Sequence, residues 1–404
     1  MAALRKVLLI SPHFPLDSLA AAHRVRIMAP YLPSFGWQPT VLTCTPEAYE
    51  GHLDPPFAAF VPTSVRVVRC PALPVALTRR LGIGDLGLRS FPGLLRAATQ
   101  LLRSESYAAL FITIFPAHTA LLGPILVRRF GVPFVVDYQD PWVGAWGHSV
   151  GGGSHGVVDF KSRATLRLAR WLEPRVVRAA SGITAVSSGT YEPILLRHPE
   201  ISPVTAAIPI GADPEDFQHS TPVTLPFDPS DGLVHICYTG TVLPLGVETL
   251  TAVLAAVARM RDDHPSAYAR LRLHFIGTSN QTTPTDALRV MPIALQLGVA
   301  DAIREIPVRV PYSTITEIQK HATALLALGS SEPHYTASKI YPLLLARRPI
   351  LAAYHERSSV IEVLSSVTRE PSVRVVAYSE AEPAASRVDQ FLRHLLEIVE
   401  RPTW

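Results

Sequence analysis

A lysine near the end of the chain stands beside a predicted helix start, an arrangement that suits phosphate binding. Only four residues are lysines, and Lys339 lies in the segment YTASKIYP (335–342), where Thr336 or Ser338 is placed to begin a helix. A helix start carries free backbone N–H groups and partial positive charge. We therefore expect Lys339, Ser338 and Thr336 to contact a diphosphate. The alternative is an ordinary solvated first turn.

A histidine and a carboxylate follow two predicted strands in the first half of the chain. His118 lies in FPAHTALL and Asp140 in FVVDYQDPW. A carboxylate can orient an attacking hydroxyl, and a histidine can donate or accept a proton. We predict that both are catalytic. The alternatives are that Asp140 caps the turn before Pro141 and that His118 is the polar start of a core helix.

The elements that would position these residues alternate along the chain. Short β-branched runs are separated by segments of helical length, which predicts βαβ units and a parallel sheet covered on both faces. Because ligands bind beyond the carboxyl ends of such strands, the candidate residues are expected to line a cleft. The predicted strands are 6–11, 39–44, 65–70, 109–113, 134–138 and 182–187, followed by 233–240, 271–277, 323–329, 348–354 and 373–378.

Length and composition indicate two folded domains. The chain has 404 residues, 48% of them apolar, which excludes a disordered protein and exceeds what one core normally organises. The stretch 206–232 is rich in Pro, Asp, Ser and Thr and is predicted to link a domain of residues 1–205 to one of residues 233–404. The first 205 residues hold 20 Lys and Arg against 12 Asp and Glu, and the remainder hold 17 against 21.

Several functional classes are disfavoured by the sequence. The three cysteines lie in apolar runs without metal-binding spacing and are expected to be core residues. No nucleic-acid-reading element accompanies the basic first half, so an anionic acceptor or membrane face is the expected partner, with no nucleic acid. The N-terminal apolar run is too short for a signal peptide, which predicts a cytoplasmic protein. Residues 106–127 carry no charge and reach transmembrane length, but their Pro, His and Gly residues favour a buried strand, a loop and a core helix.

Several segments together resemble family-4 glycosyltransferases with the GT-B fold. They cover nearly the whole chain and include FGWQPTVLT (35–43), FVVDYQDPWVGAW (134–146), VHICYTGTVLPLGVETL (234–250) and SKIYPLLLARRPILA (338–352). The resemblance implies an α/β protein of two Rossmann-like domains facing a central cleft. It also implies that the first domain binds the acceptor and the second binds a nucleotide sugar.

The resemblance implies further donor contacts, some of which this chain replaces. The family's ribose-binding glutamate falls on Pro342, and its partner glutamate falls on His334, with Glu332 nearby as a stand-in. The family's Arg and Lys after the first strand of the second domain are absent from TGTVLPLG (239–246). Backbone amides around Gly240, Thr241 and Gly246 would then donate to the phosphates. Arg24 or Arg26 of the first loop would otherwise supply the charge, unless they are residues of an exposed helix start.

The expected activity is that of a retaining hexosyltransferase acting in bacterial surface polysaccharide or glycolipid assembly. No cofactor or metal is expected, because the sequence contains no DxD signature. The alternatives are a nucleotide-sugar isomerase or epimerase on the same fold and a catalytically weak nucleotide-sugar-binding protein. Arg163, Arg167 and Arg170 would share one helical face beside Trp171, which suits peripheral docking on the inner face of a membrane. An ordinary solvated face is the alternative.

Overall fold

The computed structural model describes residues 4–51, 53–143, 160–219, 222–281, 287–330, 338–367 and 373–401. The chain divides into two compact units, Met1–Ile210 and Gly211–Trp404, called here the N-terminal and C-terminal units. The division falls inside the stretch 206–232, where the sequence places the join.

The N-terminal unit is built on a seven-stranded parallel sheet. Its inner strands are mostly buried runs of apolar residues, as expected for a sheet covered by helices on both faces. The strand order is β3-β2-β1-β4-β5-β6-β7. The strands are β1 (Arg5–Ile10), β2 (Trp37–Cys44), β3 (Arg66–Cys70), β4 (Ala109–Thr113), β5 (Phe134–Tyr138), β6 (Gly182–Ala185) and β7 (Val204–Ala207).

The helices of this unit connect successive strands and cover the sheet. The longest described ones are amphipathic, and Asp85 caps the start of α3 by accepting a hydrogen bond from the Leu88 amide. They are α1 (Ala22–Met28), α2 (Val75–Thr78), α3 (Leu86–Ser104), α4 (Leu122–Phe130), α5 (Phe160–Val177) and α6 (Ser188–Arg197).

The C-terminal unit repeats this layout with a six-stranded parallel sheet. Its order is β10-β9-β8-β11-β12-β13. The strands are β8 (Val234–Thr239), β9 (Leu271–Gln281), β10 (Ile303–Val308), β11 (Ala324–Leu328), β12 (Ile350–His355) and β13 (Val373–Tyr378). The helices are α7 (Val247–Asp263), α8 (Pro265–Arg270), α9 (Met291–Gln296), α10 (Tyr312–His321), α11 (Ile340–Leu345), α12 (Ser359–Val367) and α13 (Val388–Glu400). The predicted fold class, two Rossmann-like parallel-sheet units, is confirmed.

Two strands were not predicted from the sequence, and both lie at the edge of a sheet. β7 is short and follows Pro203, and β10 carries Arg304, Glu305 and Pro307 within its six residues. Edge strands face solvent along one side, so they tolerate charge and proline that a central strand excludes. Every predicted strand is present. The apolar periodicity that reveals a buried strand is weak at these two edges.

The uncharged stretch 106–127 forms part of the core. It contains β4, a 3₁₀ turn at Ala117–Leu121 and the start of α4, and its apolar residues pack in the N-terminal unit. Among the helices that the structure describes, none has both the length and the apolar character that crossing a membrane requires. The three cysteines are buried and unpaired as disulfides, in agreement with the prediction that they are core residues.

Candidate functional site

Lys339 and the loop after β8 come together in the C-terminal unit. The Lys339 side chain passes directly over Gly240, so closely that a Cβ at this glycine would overlap the ammonium and lie 2.7 Å from Cε. Nζ also lies 5.8 Å from the centroid of the Tyr238 ring. Because Gly240 has a φ of +141° and no side chain, the loop leaves a channel that the lysine fills. A full positive charge therefore stands at a loop whose own residues 239–246 carry none.

The environment of this ammonium is electropositive. The Lys339 residue as a whole is exposed, while its ammonium lies against Gly240 and near the Tyr238 ring. Loss of solvation, with the charge of Arg309 as a second cause, lowers the pKa of the Lys339 ammonium to about 8. Arg309 directly follows β10, at the carboxyl edge of the sheet. A bound anion would stabilise the charged form of Lys339, so this corner of the unit favours a ligand with negative charge.

Two of the three loop amides that the sequence assigned to phosphate already have acceptors within the protein. The Gly240 amide donates to the Ile276 carbonyl at 2.7 Å, and the Gly246 amide donates to the Leu243 carbonyl at 2.9 Å. Of the three amides predicted to meet phosphate, only that of Thr241 has no acceptor in the part of the chain that the structure describes. The Gly240 amide is occupied because it extends the hydrogen bonding between this loop and β9. Lys339 supplies the charge that the loop amides do not.

The helix start beside Lys339 also differs from the prediction. Helix α11 begins at Ile340, with Lys339 itself in the cap position and without a side-chain cap. Ser338 lies in the preceding turn, where its carbonyl accepts from the Tyr341 amide, so it is not the capping residue. The helix has six residues, which makes Lys339 rather than a helix dipole the source of positive charge. Thr336, Glu332 and His334 lie outside the described residues.

In the N-terminal unit, His118 is held by an aspartate that the sequence analysis missed. Its Nδ1 lies 3.1 Å from Asp85 Oδ1, and its ring meets Trp142 edge-on at 6.1 Å between centroids. An ionised carboxylate only accepts, so Asp85 places the histidine proton on Nδ1 and leaves Nε2 for another partner. Gly87 allows this approach, because a Cβ there would meet Asp85 Oδ1 at 3.0 Å and Pro116 at 3.2 Å. The feature of the sequence that could have pointed to Asp85 is its position as an aspartate directly before a helix.

Asp140 presents an unpaired carboxylate just after β5. It is exposed, and within the described residues its side chain makes no hydrogen bond or ion pair. The surrounding protein reduces its solvation and raises the pKa of this carboxyl group. A turn-capping role would require a bond to a backbone amide. The structure shows no such bond in the part of the chain it covers, so Asp140 is available to a ligand.

Arg24 and Arg26 lie in the interior, so the alternative that they belong to an exposed helix start is wrong. Arg24 is 5% exposed, and its Nε donates to Asp137 at 2.9 Å while Nη1 donates to the Pro209 carbonyl at 3.1 Å. Arg26 is buried with its guanidinium 5.3 Å from the centroid of the Phe57 ring. Both residues stabilise their own unit. Burial raises the pKa of Asp137, and the Arg24 guanidinium opposes that rise.

The predicted basic stripe is exposed on α5. Arg163, Arg167 and Arg170 all face solvent. Trp171 beside them is 58% exposed, and the Arg175 guanidinium lies over its ring at 3.6 Å. The stripe follows the outer side of a single helix, so its side chains spread over a convex surface.

Residues 20–207, most of the N-terminal unit, match the family model of a glycosyl transferase 4-like domain. Over this range the N-terminal unit is similar to a glycosyl transferase 4-like domain. The predicted resemblance to family-4 glycosyltransferases with the GT-B fold is thereby confirmed. No curated protein matches the chain in sequence. The described residues contain no group of three His, Cys, Asp or Glu side chains placed to hold a metal ion.

Solved structures extend the comparison from the glycosyl transferase 4-like domain to the whole chain. Anabaena HepE in complex with UDP-glucose is 16% identical with a TM-score of 0.58, covering 98% of this chain and 90% of that one. The N-terminal domain of trehalose-6-phosphate phosphatase from Candida albicans is 12% identical with a TM-score of 0.61, covering 98% and 92%. The UDP-forming α,α-trehalose-phosphate synthase from Burkholderia vietnamiensis is 12% identical with a TM-score of 0.53, covering 98% and 95%. At these identities the likeness establishes the fold, which is GT-B.

Proposed function

We propose that this protein is a retaining hexosyltransferase that moves a sugar from a nucleotide-sugar donor to an acceptor hydroxyl. The observation that carries the proposal is the seating of Lys339 over Gly240, which puts a cation at the loop after the first strand of the C-terminal unit. In open parallel sheets, ligands bind at this edge. HepE, which has the same fold, was solved with UDP-glucose, and a nucleotide sugar is the donor we propose here.

The two cations of the C-terminal unit would stabilise the departing nucleoside diphosphate. Negative charge grows on the leaving phosphate as its bond to the sugar breaks, and a fixed cation in a partly enclosed site stabilises that charge more than water does. Lys339 meets this demand, and Arg309 adds to the field around it. We propose that they act in place of the charged pair absent from residues 239–246, and that no metal or other cofactor takes part.

The proposed reaction replaces one bond at the anomeric carbon with another on the same face. The bond from that carbon to the donor phosphate oxygen breaks, the bond to the acceptor oxygen forms, and the acceptor proton passes to the departing phosphate. No side-chain base is required. Asp140 would orient the acceptor hydroxyl, and His118, held by Asp85, would hydrogen-bond a sugar hydroxyl through Nε2.

We further propose that the protein works in the cytoplasm on an acceptor that is anionic or lies at a membrane, in surface polysaccharide or glycolipid assembly. The excess of basic residues in the first 205 positions supports an anionic partner. The N-terminal unit would bind this acceptor and the C-terminal unit the donor.

Two measurements test the transferase proposal. Isothermal titration with UDP, GDP, ADP and dTDP identifies the nucleotide, and each corresponding nucleotide sugar is then incubated with acceptor lipids and glycans. We expect one nucleotide to bind and its sugar to appear on an acceptor with retained anomeric configuration. Conversion of the nucleotide sugar to an isomer without an acceptor would contradict the proposal in favour of an epimerase. Binding without any turnover would contradict it in favour of a binding protein.

A further inference from the structure

An open groove of about 780 Å³ lies between α3 and α4 of the N-terminal unit. Three arginines line it, Arg96 and Arg103 from α3 and Arg129 from the last turn of α4. Arg96 and Arg103 are seven residues apart, so they lie on one face of the helix and about 10 Å apart along its axis. All three are exposed, and none has an acidic partner within the described residues. The groove therefore concentrates positive charge from two helices.

The floor of the groove holds an unsatisfied hydroxyl. Thr99 is only 9% exposed, lines the groove, and its Oγ1 is buried without a hydrogen-bond partner in the part of the chain described. A threonine inside a helix ordinarily donates to the carbonyl one turn earlier. Because a buried polar atom without a partner is destabilising, rotation of the Thr99 side chain to meet a ligand oxygen in the groove would remove a defect that the free protein retains.

The groove is separate from the residues assigned to catalysis. Helix α3 begins at Asp85, the residue that holds His118, and runs away from it. Arg103 lies near the other end of the helix, and a rise of 1.5 Å per residue puts it roughly 27 Å further along the axis. Arg96 is nearer, roughly 16 Å along the axis from Asp85, so a ligand at the three arginines would still lie away from the proposed reacting groups.

The chemistry of the groove identifies its ligand class. Guanidinium groups match phosphate oxygens in pairs, and their planar forks suit this ion better than a point charge does. Pro92 and Leu95 form an apolar wall beside them, and Leu88 and Ile125 are exposed on the same two helices. We propose that this groove binds the phosphoryl headgroup of an anionic membrane lipid, with the neighbouring apolar side chains against the acyl region. This proposal rests on one part of the proposed function, the placement of the protein at a membrane, and it names the lipid group that would be bound there.

The stripe on α5 provides a matched control. Arg96→Gln, Arg103→Gln and Arg129→Gln together remove three charges from the groove, and Arg163→Gln, Arg167→Gln and Arg170→Gln remove three charges from α5 of the same unit. Vesicles of phosphatidylcholine with phosphatidylglycerol are compared with vesicles of phosphatidylcholine alone. At about fivefold per arginine, the groove variant should bind the anionic vesicles on the order of 100-fold more weakly. The affinity of the α5 variant for the anionic vesicles should stay within about threefold of the parent's, which is less than the roughly fivefold effect expected of one arginine.

Thr99→Val tests the groove by a second route. Valine preserves the shape of the side chain and removes the unsatisfied hydroxyl, so the melting temperature should hold or rise while binding to the anionic vesicles weakens severalfold. Titration with inorganic phosphate identifies the source of the phosphoryl group, and we expect no binding at millimolar concentration.

Other outcomes overturn the inference. Equal losses in the two triple variants would show general attraction of a basic surface. A loss confined to the α5 variant would assign docking to the stripe. Tight binding of inorganic phosphate, lost in the groove variant, would replace the lipid with a free anion. Nucleotide binding is measured on the same samples, so failure at the groove is distinguishable from failure of the donor site.

Discussion

Lys339 lies over Gly240 with its ammonium against the glycine backbone, although the two residues are far apart in the sequence and belong to different βα segments. The contact joins the segment before α11 to the loop after β8. It brings a positive charge to a loop that contains no charged residue of its own.

Replacing Lys339 with methionine should weaken nucleotide binding without unfolding the protein. Lys339→Met keeps the length of the side chain and removes the charge, which should cost about 1.5–3 kcal/mol, or roughly ten- to 150-fold in Kd, the range for hydrogen bonds to charged groups. Isothermal titration with the nucleoside diphosphate that binds the parent measures this. Lys320→Met, which removes another lysine of the same unit, is the control and should bind like the parent. Unchanged affinity in Lys339→Met would refute the donor-site assignment.

Donor affinity should also fall as the pH rises above 8. The pKa of the free Lys339 ammonium is about 8, so at pH 7 the group is charged and at pH 9 it is mostly neutral. If only the charged form binds the diphosphate, linkage predicts about tenfold weaker binding of the nucleotide sugar at pH 9. Lys339→Met lacks this titration, so its affinity should change little between the two pH values. Parallel pH dependence in both proteins would assign the effect to another group.

Gly240→Ala should disturb the same contact from the opposite side. A methyl group would occupy the space of the Lys339 ammonium, and a φ of +141° is strained for alanine by about 1–3 kcal/mol. We expect a lower melting temperature and a loss of donor affinity similar to that of Lys339→Met. In the double variant the two losses in affinity should not add, because they remove one shared interaction. Gly211→Ala, at an unobstructed glycine, controls for the general effect of a methyl group. Additive losses would show that the two residues act separately.

Asp140→Asn should lower kcat and leave donor affinity and stability nearly unchanged. The carboxylate makes no bond within the described residues, so its charge is not needed for folding, whereas loss of a positioned carboxylate commonly costs about 10²-fold or more in rate. Asp137→Asn is the matched contrast in the same segment. It breaks a buried pair with Arg24 and should destabilise the protein by about 3–5 kcal/mol. If Asp140→Asn lowered the melting temperature as Asp137→Asn does, Asp140 would be a structural residue.

The sequence revealed the identity of several site residues more readily than their partners. Lys339 stood out because lysine is rare, and Gly240 because it follows a strand, but the sequence suggested that the glycine offered an amide. Its actual contribution is the absence of a side chain, which depends on where Lys339 runs in three dimensions. Asp85 and Arg309 were missed. Asp85 reaches His118 only through the packing of α3, and Arg309 follows an edge strand whose charged residues hide its periodicity.

The C-terminal unit contains a buried histidine pair at the start of its central strands. His235 Nδ1 lies 3.0 Å from His274 Nε2, and Phe227 stacks on His235 at 4.6 Å between centroids. His235 donates from Nε2 toward the Asp228 carbonyl and the Asp231 carboxylate, at 3.1 and 3.0 Å. With that proton in place, His235 Nδ1 accepts from His274 Nε2, and the remaining nitrogen of His274, Nδ1, is buried without a partner.

Acidification should therefore destabilise this unit between pH 6.5 and pH 4. Burial is the main cause that lowers the pKa of His274 to about 4; the charges of Arg304, Arg272 and of His235 when it is protonated add to it, and Asp231 opposes the shift only weakly. In the unfolded chain His274 takes up a proton near pH 6.5, whereas in the folded chain it does so only near pH 4. The free energy of unfolding therefore falls as the pH drops through this window, by on the order of 3 kcal/mol at most. His274→Gln keeps a donor for His235 and has no titrating group. Urea unfolding at pH 7 and pH 5 should show a smaller loss of stability in this variant than in the parent, and equal losses would mean that other groups govern the acid sensitivity.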